Sequence, residues 1–242
     1  MKTKLKNMPY PGRVIIIGKD LSGRYVITLY AVTGRSASSQ ARKIEYSQNR
    51  ALVKPIDIQK VRNGDPDLLI YPAVIVDQLI AVSNGRQTLD IHKQARDSSS
   101  SIKALVSALK SWDYEPDPPT YTPRISGCIL HDDQAALSII KRADNGGSIK
   151  NFFECPLIPG KGRLISTYEG NNTDPLPPYR GKPVELDLKG ESADQTAHDI
   201  FRAMKPAPNQ PDLRVALVCV FSSFSELQKS HVSIINRHQR RK

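Results

Sequence analysis

The segment ALVSALKSWDYEPDPPTYTPRISG holds residues suited to proton transfer and to binding of anions. An apolar run with helical spacing leads into Asp113, Tyr114 and Glu115. Pro116 follows at once, and Arg124 opens the next β-rich stretch. The pattern predicts a helix that stops at Pro116 and presents Glu115 at its C-terminus. A carboxylate there meets the negative end of the helix dipole, which raises its pKa unless a cation answers it. An acid tuned upward in this way suits general acid or base work. Other polar residues interrupt or end apolar runs: Arg35 and Arg42 in GRSASSQAR, Tyr71 ending DLLIY, and Asn84 in LIAVSNG. Element ends are where rigid scaffolds carry binding groups. The competing explanation for each is a turn, a cap or a surface ion pair.

Several chemistries lack their signatures. The chain has no GxxxxGK(S/T) loop, no GxGxxG after a strand, no HExxH and no GxSxG elbow. His92, His131, His198, His231 and His238 stand apart from one another. Cys128, Cys155 and Cys219 are odd in number and form no CxxC, which argues against a disulfide scaffold and a zinc site. The net charge is +11, but Lys2, Lys4, Lys6, Arg237, Arg240, Arg241 and Lys242 lie at the ends and leave about +4 for the body. That body suits a phosphorylated small molecule. Nucleic acid is a weaker expectation, because aromatics are only 6% and do not interleave with basic residues. No apolar stretch reaches membrane-spanning length, and MKTKLKNMPYPGR lacks an apolar signal core. The expectation is a cytoplasmic protein with reduced cysteines.

The elements that must position these residues read as follows. Val14–Ile17 and Tyr25–Val32 form a hairpin about a turn with Asp20, Ser22 and Gly23, and a loop runs from Thr33 to Arg42. RALVKPIDI, DLLIYPAVI and QLIAVSNG are further strands. Serines 98 to 101 cap a helix whose apolar face is Ile102, Leu105, Val106, Leu109 and Trp112. PRISGCILHD and ALSIIKRA pair as strands. Ser192 and Gln195 form a capping box before a second helix with Ala197, Ile200, Phe201 and Met204 inward, and RVALVCVF is a strand. Strands grouped before each of two helices, without βαβ alternation, imply an α+β fold with largely antiparallel sheets. Residues 1–242 read as one domain with flexible basic ends near 1–8 and 237–242.

The segments YPGR (Tyr10 to Arg13), GRS…R (Gly34 to Arg42), IY (Ile70, Tyr71), VSNG (Val82 to Gly85), DYEPD…TPRISG (Asp113 to Gly127) and STYE (Ser166 to Glu169) occur in order. In order and spacing the chain resembles the archaeal-type inosine monophosphate (IMP) cyclohydrolases from Tyr10 to about Glu169. The resemblance implies a four-layer αββα sandwich of the N-terminal-nucleophile hydrolase type, with a pocket between two sheets. The family does not use that fold's usual nucleophile, and Thr3 would need processing to become an N-terminus. The implied reaction closes 5-formamidoimidazole-4-carboxamide ribonucleotide to IMP with loss of water. The implied catalytic residues are Glu115, Arg42 and Tyr71, with Arg35 the other candidate for the arginine. Arg13, Arg35, Ser36, Asn84, Asp113 and Arg124 are the implied substrate-binding residues. No metal or organic cofactor is implied, the partner is the purine-precursor ribonucleotide, and a homo-oligomer stays open. The alternative is a catalytically inactive purine-nucleotide-binding protein on the same fold, since Gln40 and Ala41 replace the family's usual Arg and Asn neighbours.

Overall fold

β-Branched and aromatic residues dominate the first two strands, and Asp20 turns the chain between them. Its carboxylate accepts from the backbone N–H of Tyr25 at 2.8 Å and of Ser22 at 3.1 Å, the local side-chain bonding that favours Asp in turns. In this computed structural model, which describes residues 5–57, 70–131 and 133–238, the strands are β1 (Arg13–Lys19), β2 (Val26–Thr33), β3 (Arg42–Ser47), β4 (Arg50–Pro55), β5 (Tyr71–Val76) and β6 (Ile80–Ser83). They continue as β7 (Arg124–Ile129), β8 (Gln134–Arg142), β9 (Ser148–Pro156), β10 (Lys161–Ser166), β11 (Val184–Asp187), β12 (Arg214–Ser222) and β13 (His231–Asn236). The described α-helices are α1 (Ala37–Gln40), α2 (Gln87–Ala95), α3 (Ser101–Ala108) and α4 (Ala193–Ala203). None of them is long and apolar enough to cross a membrane.

The strands form two sheets with every pairing antiparallel. One runs β11-β10-β1-β2-β12-β13, and the other runs β3 to β9 in chain order. Alternation along the strands divides the core. Ile15, Ile17, Tyr30 and Val218 of the first sheet share one cluster with Ile44, Tyr71, Val82 and Ile125 of the second. Val14, Ile16, Ile27 and Leu29 turn the other way, onto Ala197 and Ile200 of α4. Ala81, Cys128 and Ala136 pack under Ile91 of α2 and Leu105 of α3. The expected α+β class with antiparallel sheets is observed.

Several expectations need correction. The helix expected to run to Pro116 is α3, which ends at Ala108, seven residues before Glu115. Lys150 Nζ donates to the carbonyls of Leu109 and Lys110 at 3.0 and 2.7 Å, satisfying acceptors that a longer helix would use internally. Val106, expected on the apolar face, is 48% exposed. Helix α2 was not expected, because only Ile91 and Ala95 mark its buried side by apolarity; Gln87 and Thr88 are buried there too. Strands β3 and β11 were also unforeseen, being short and rich in charge. The expected ends at 1–4 and 239–242, Thr3 within them, and the first residues of DLLIY lie outside the described residues.

Gly12 fixes how the chain enters β1. Its φ is +72°, and a Cβ there would stand 2.1 Å from Thr167 Oγ1 and 2.6 Å from the Tyr168 ring. Gly12→Ala is therefore expected to destabilise the protein by about 2 kcal/mol or more, through both the left-handed backbone and the collision. Urea unfolding checks this, and an unchanged midpoint would show that Thr167 and Tyr168 can move aside.

Candidate active site

The register of both sheets gathers polar residues at one end. In the first sheet Arg13 pairs with Val32, and Val14 with Ser166. In the second, Val53 pairs with Tyr71, Ser83 with Ser126 and Arg124 with Ile140. The starts of β1, β3, β5 and β7 and the end of β6 thus present Arg13, Arg42, Tyr71, Arg124 and Asn84. All five are buried.

Glu115 reaches this group from an irregular loop. Its backbone N–H donates to Thr122 O at 2.8 Å, closing the loop at its base. Inside, the Asp117 carboxylate accepts from Thr122 N–H at 2.7 Å and from the Thr122 hydroxyl at 2.5 Å. The hydroxyls of Thr122 and Tyr168 are 2.8 Å apart, and Tyr168 stacks on Tyr10. The loop is thereby tied to the first sheet.

The Glu115 side chain is 6% exposed, and Oε1 accepts from Asn84 Nδ2 at 3.0 Å. Asn84 has no hydrogen-bonding capacity left over. Its second Nδ2 bond goes to Pro123 O at 3.0 Å, while Oδ1 accepts from Ile125 N–H at 2.8 Å and Gln87 Nε2 at 3.2 Å. The Ile125 bond fixes which end of the amide faces Glu115. Arg124 Nη1 lies 4.0 Å from the same Oε1, donates to Gln87 Oε1 at 3.2 Å, and sits over the Trp112 ring. Burial pushes Glu115 up to about 7, and Arg13, Arg124 and Arg42 only partly offset it. The cause is burial in a loop, not the helix end that the sequence suggested.

Arg13 and Arg42 come from opposite sheets and are under-bonded. Arg13 Nε, Arg42 Nε and Arg42 Nη1 are buried without a hydrogen-bond partner, and Arg42 Nη2 meets Ser39 Oγ only at 3.5 Å. Burial and then the charge of Arg13 lower the pKa of Arg42. For Arg13 burial also disfavours the charge, but Tyr71, Tyr30 and Glu115 outweigh it and hold its pKa raised. Two buried cations with unused donors form a receptor for an anion or for an oxygen gaining negative charge. The phenols of Tyr30 and Tyr71 meet beside them at 2.8 Å.

Three expected site residues stand elsewhere. Arg35 is exposed, donates to Thr173 O at 3.2 Å and covers the Tyr10 ring at 5.3 Å. Ser36 is exposed and caps α1 by accepting from Ser39 N–H. The exposed Asp113 side chain accepts from Ser148 Oγ at 2.7 Å, and only its backbone carbonyl joins the cluster, accepting from Arg124 Nε at 2.9 Å. A separate cleft of about 330 Å³, lined by Pro9, Thr173, Gln210 and Leu213 among others, contains none of the buried charged residues. Sequence reasoning missed Tyr30, Gln87 and Thr122. Tyr30 was hidden inside an apolar run, and Gln87 lies on the unforeseen helix. Among the described residues no three His, Cys, Asp or Glu side chains converge to hold a metal.

An α+β protein that holds a neutral-range carboxyl group near guanidinium groups with unused donors belongs to the class that can bind an anionic substrate and move its protons. Comparison with known proteins narrows the class. The model of the IMP cyclohydrolase-like protein family matches residues 10–223, and the chain belongs to that family. It is 36% identical over 183 residues to the IMP cyclohydrolase of Methanopyrus kandleri, an alignment covering 70% of this chain and 89% of that protein. It is 27% identical over 198 residues to the IMP cyclohydrolase of Methanosphaera stadtmanae, covering 79% and 85%.

The raised pKa of Glu115 has a consequence for stability. Between about pH 4.5 and 7 the unfolded chain has released this proton and the native state still holds it, so stability falls as pH rises through that window. Glu115→Gln removes the cost of burying a carboxylate. The variant is expected to match the native protein at pH 5 and to exceed its stability at pH 8 by up to about 3 kcal/mol. Urea unfolding at both pH values tests this; equal differences at the two would mean that Glu115 titrates in the ordinary range.

Proposed function

We propose that this protein is an IMP cyclohydrolase, closing the purine ring of 5-formamidoimidazole-4-carboxamide ribonucleotide to IMP. The observation that carries the reading is Glu115, buried at a pKa of about 7 and accompanied by Arg13 and Arg42 with unused donors, in a member of the IMP cyclohydrolase-like family. We read the chain as a single domain and its architecture as an αββα sandwich of the N-terminal-nucleophile hydrolase type. Core clusters between the sheets and beneath helices on each sheet support the layer order. The enzyme is taken to be cytoplasmic, and its three free cysteines suit a reducing compartment.

The chemistry follows from the residue types. Substrate binding supplies both reacting groups in one molecule, so orientation accounts for much of the rate. Ionised Glu115 removes a proton from the carboxamide nitrogen as that nitrogen attacks the formyl carbon. Negative charge grows on the formyl oxygen, where Arg42 and the Tyr71 hydroxyl stabilise it. The oxygen then leaves as water, carrying the protons lost from the carboxamide and formamide nitrogens, and Glu115 returns the one it took. Asn84 and Arg124 act through Glu115: Asn84 has no free hydrogen-bonding capacity for substrate, and Arg124 bonds to Gln87 and Asp113. Arg13 and Arg42 hold the anionic and developing charge. Arg35 and Ser36 are exposed and available to the 5′-phosphate, and Asp113 serves through its carbonyl alone.

Glu115→Gln is expected to lower IMP formation by about 10²–10⁴-fold while the protein stays folded. Arg42→Lys keeps the charge, loses the planar fork and is expected to lower kcat about tenfold or more. Absorbance assays on the formylated ribonucleotide read both. Native-like turnover by Glu115→Gln would overturn its role, and IMP binding without turnover by the native protein would favour a binding protein instead.

A further inference from the structure

Tyr30 lies on β2 and Tyr71 on β5, so the 2.8 Å contact between their hydroxyls crosses from one sheet to the other. Tyr30 is fully buried and Tyr71 is 1% exposed, with the rings edge-on at 6.5 Å between centroids. Among the described residues neither hydroxyl has another hydrogen-bond partner, and either could be the donor. Each phenol has one hydrogen to give. Either polarity therefore leaves one hydrogen of the pair in the core without an acceptor, the unfavourable arrangement for a buried donor. A substrate oxygen beside Tyr71 supplies that acceptor only when Tyr30 donates within the pair and the Tyr71 hydrogen is the one left over. Charged groups facing the pair are Arg13 from β1, Arg42 from β3 and Arg124 from β7, and all three interact in turn with Glu115 from the loop. Burial raises the pKa of Tyr30, which keeps it a donor.

We propose that Tyr30 is a positioning residue for ring closure: it donates to Tyr71 Oη and so commits the Tyr71 proton to the formyl oxygen of the substrate. This rests on the reading that the site closes the purine ring.

Tyr30→Phe keeps the ring and removes only the donor. Relative to the native protein, kcat for IMP formation is expected to fall about tenfold with KM little changed, the scale of one buried hydrogen bond. In a Tyr71→Phe background the same change should cost nothing further. Site-specific 3-fluorotyrosine at position 30, a stronger donor of nearly the same shape, should keep kcat at or above the native value, and it carries the test if Tyr30→Phe folds poorly. Native kcat in Tyr30→Phe, a fall in kcat in the fluorotyrosine protein, or an equal loss in the Tyr71→Phe background overturns the proposal. Absence of IMP formation by the native protein overturns the functional reading and this proposal with it, whereas native turnover indifferent to Tyr30 overturns this proposal alone.

Discussion

A carboxyl group removed from water resists ionising, and much of the local structure serves to hold one in that condition. Glu115 stays buried because its loop is closed at the base by its own N–H to Thr122 O, and because Asp117 ties the loop internally. Its orientation comes from Asn84, whose amide is fixed in turn by the backbone of β7. Glu115 itself sits at no helix terminus, since the preceding helix ends at Ala108. The pKa near 7 is a result of where the strands end and how tightly the connecting loop is bound back to them.

The same end of the molecule tolerates two buried guanidinium groups with unused donors. Buried cations without partners are costly, and nearby Glu115 meets only part of that cost while it is half protonated. An anionic substrate would complete the arrangement, since its oxygens supply the acceptors that Arg13 and Arg42 lack. The sheets can carry this load because their apolar faces are covered on both sides, by each other and by α2, α3 and α4. Tight backbone passages such as Gly12, pressed against Thr167 and Tyr168, keep the strand starts in place. The cost of the buried charges at one end thus rests on an ordinary apolar core.

The hairpin of β1 and β2, the cap at Ser192 and the pairing of β7 with β8 were legible because alternation and capping are local signals. Glu115, Arg42, Tyr71, Asn84, Arg13 and Arg124 were also named from the sequence, and they converge. The reason offered for Glu115 was wrong in its physics: Pro116 ends no helix, and burial by residues distant in sequence sets the pKa. Helix α2 escaped notice because its buried side includes Gln87 and Thr88, which hydropathy counts as solvent-facing. Tyr30 read as one more core aromatic, since its partner lies 41 residues away in the other sheet. Arg35, Ser36 and Asp113 carry the right chemistry beside the right elements, but their side chains turn outward. Side-chain direction at the loose end of a strand or loop is decided by tertiary contacts that spacing does not encode.

The central claim is that Glu115 titrates near neutrality and acts as the proton acceptor. The direct measurement follows the side-chain carboxyl carbon of Glu115 in protein labelled with 13C-glutamate, with the resonance assigned by its absence in Glu115→Gln. The account predicts a midpoint of about 7, coincident with the acidic limb of kcat/KM for IMP formation, which reports the free enzyme. A midpoint near the ordinary glutamate value, or an acidic limb that does not follow the titration, would contradict it.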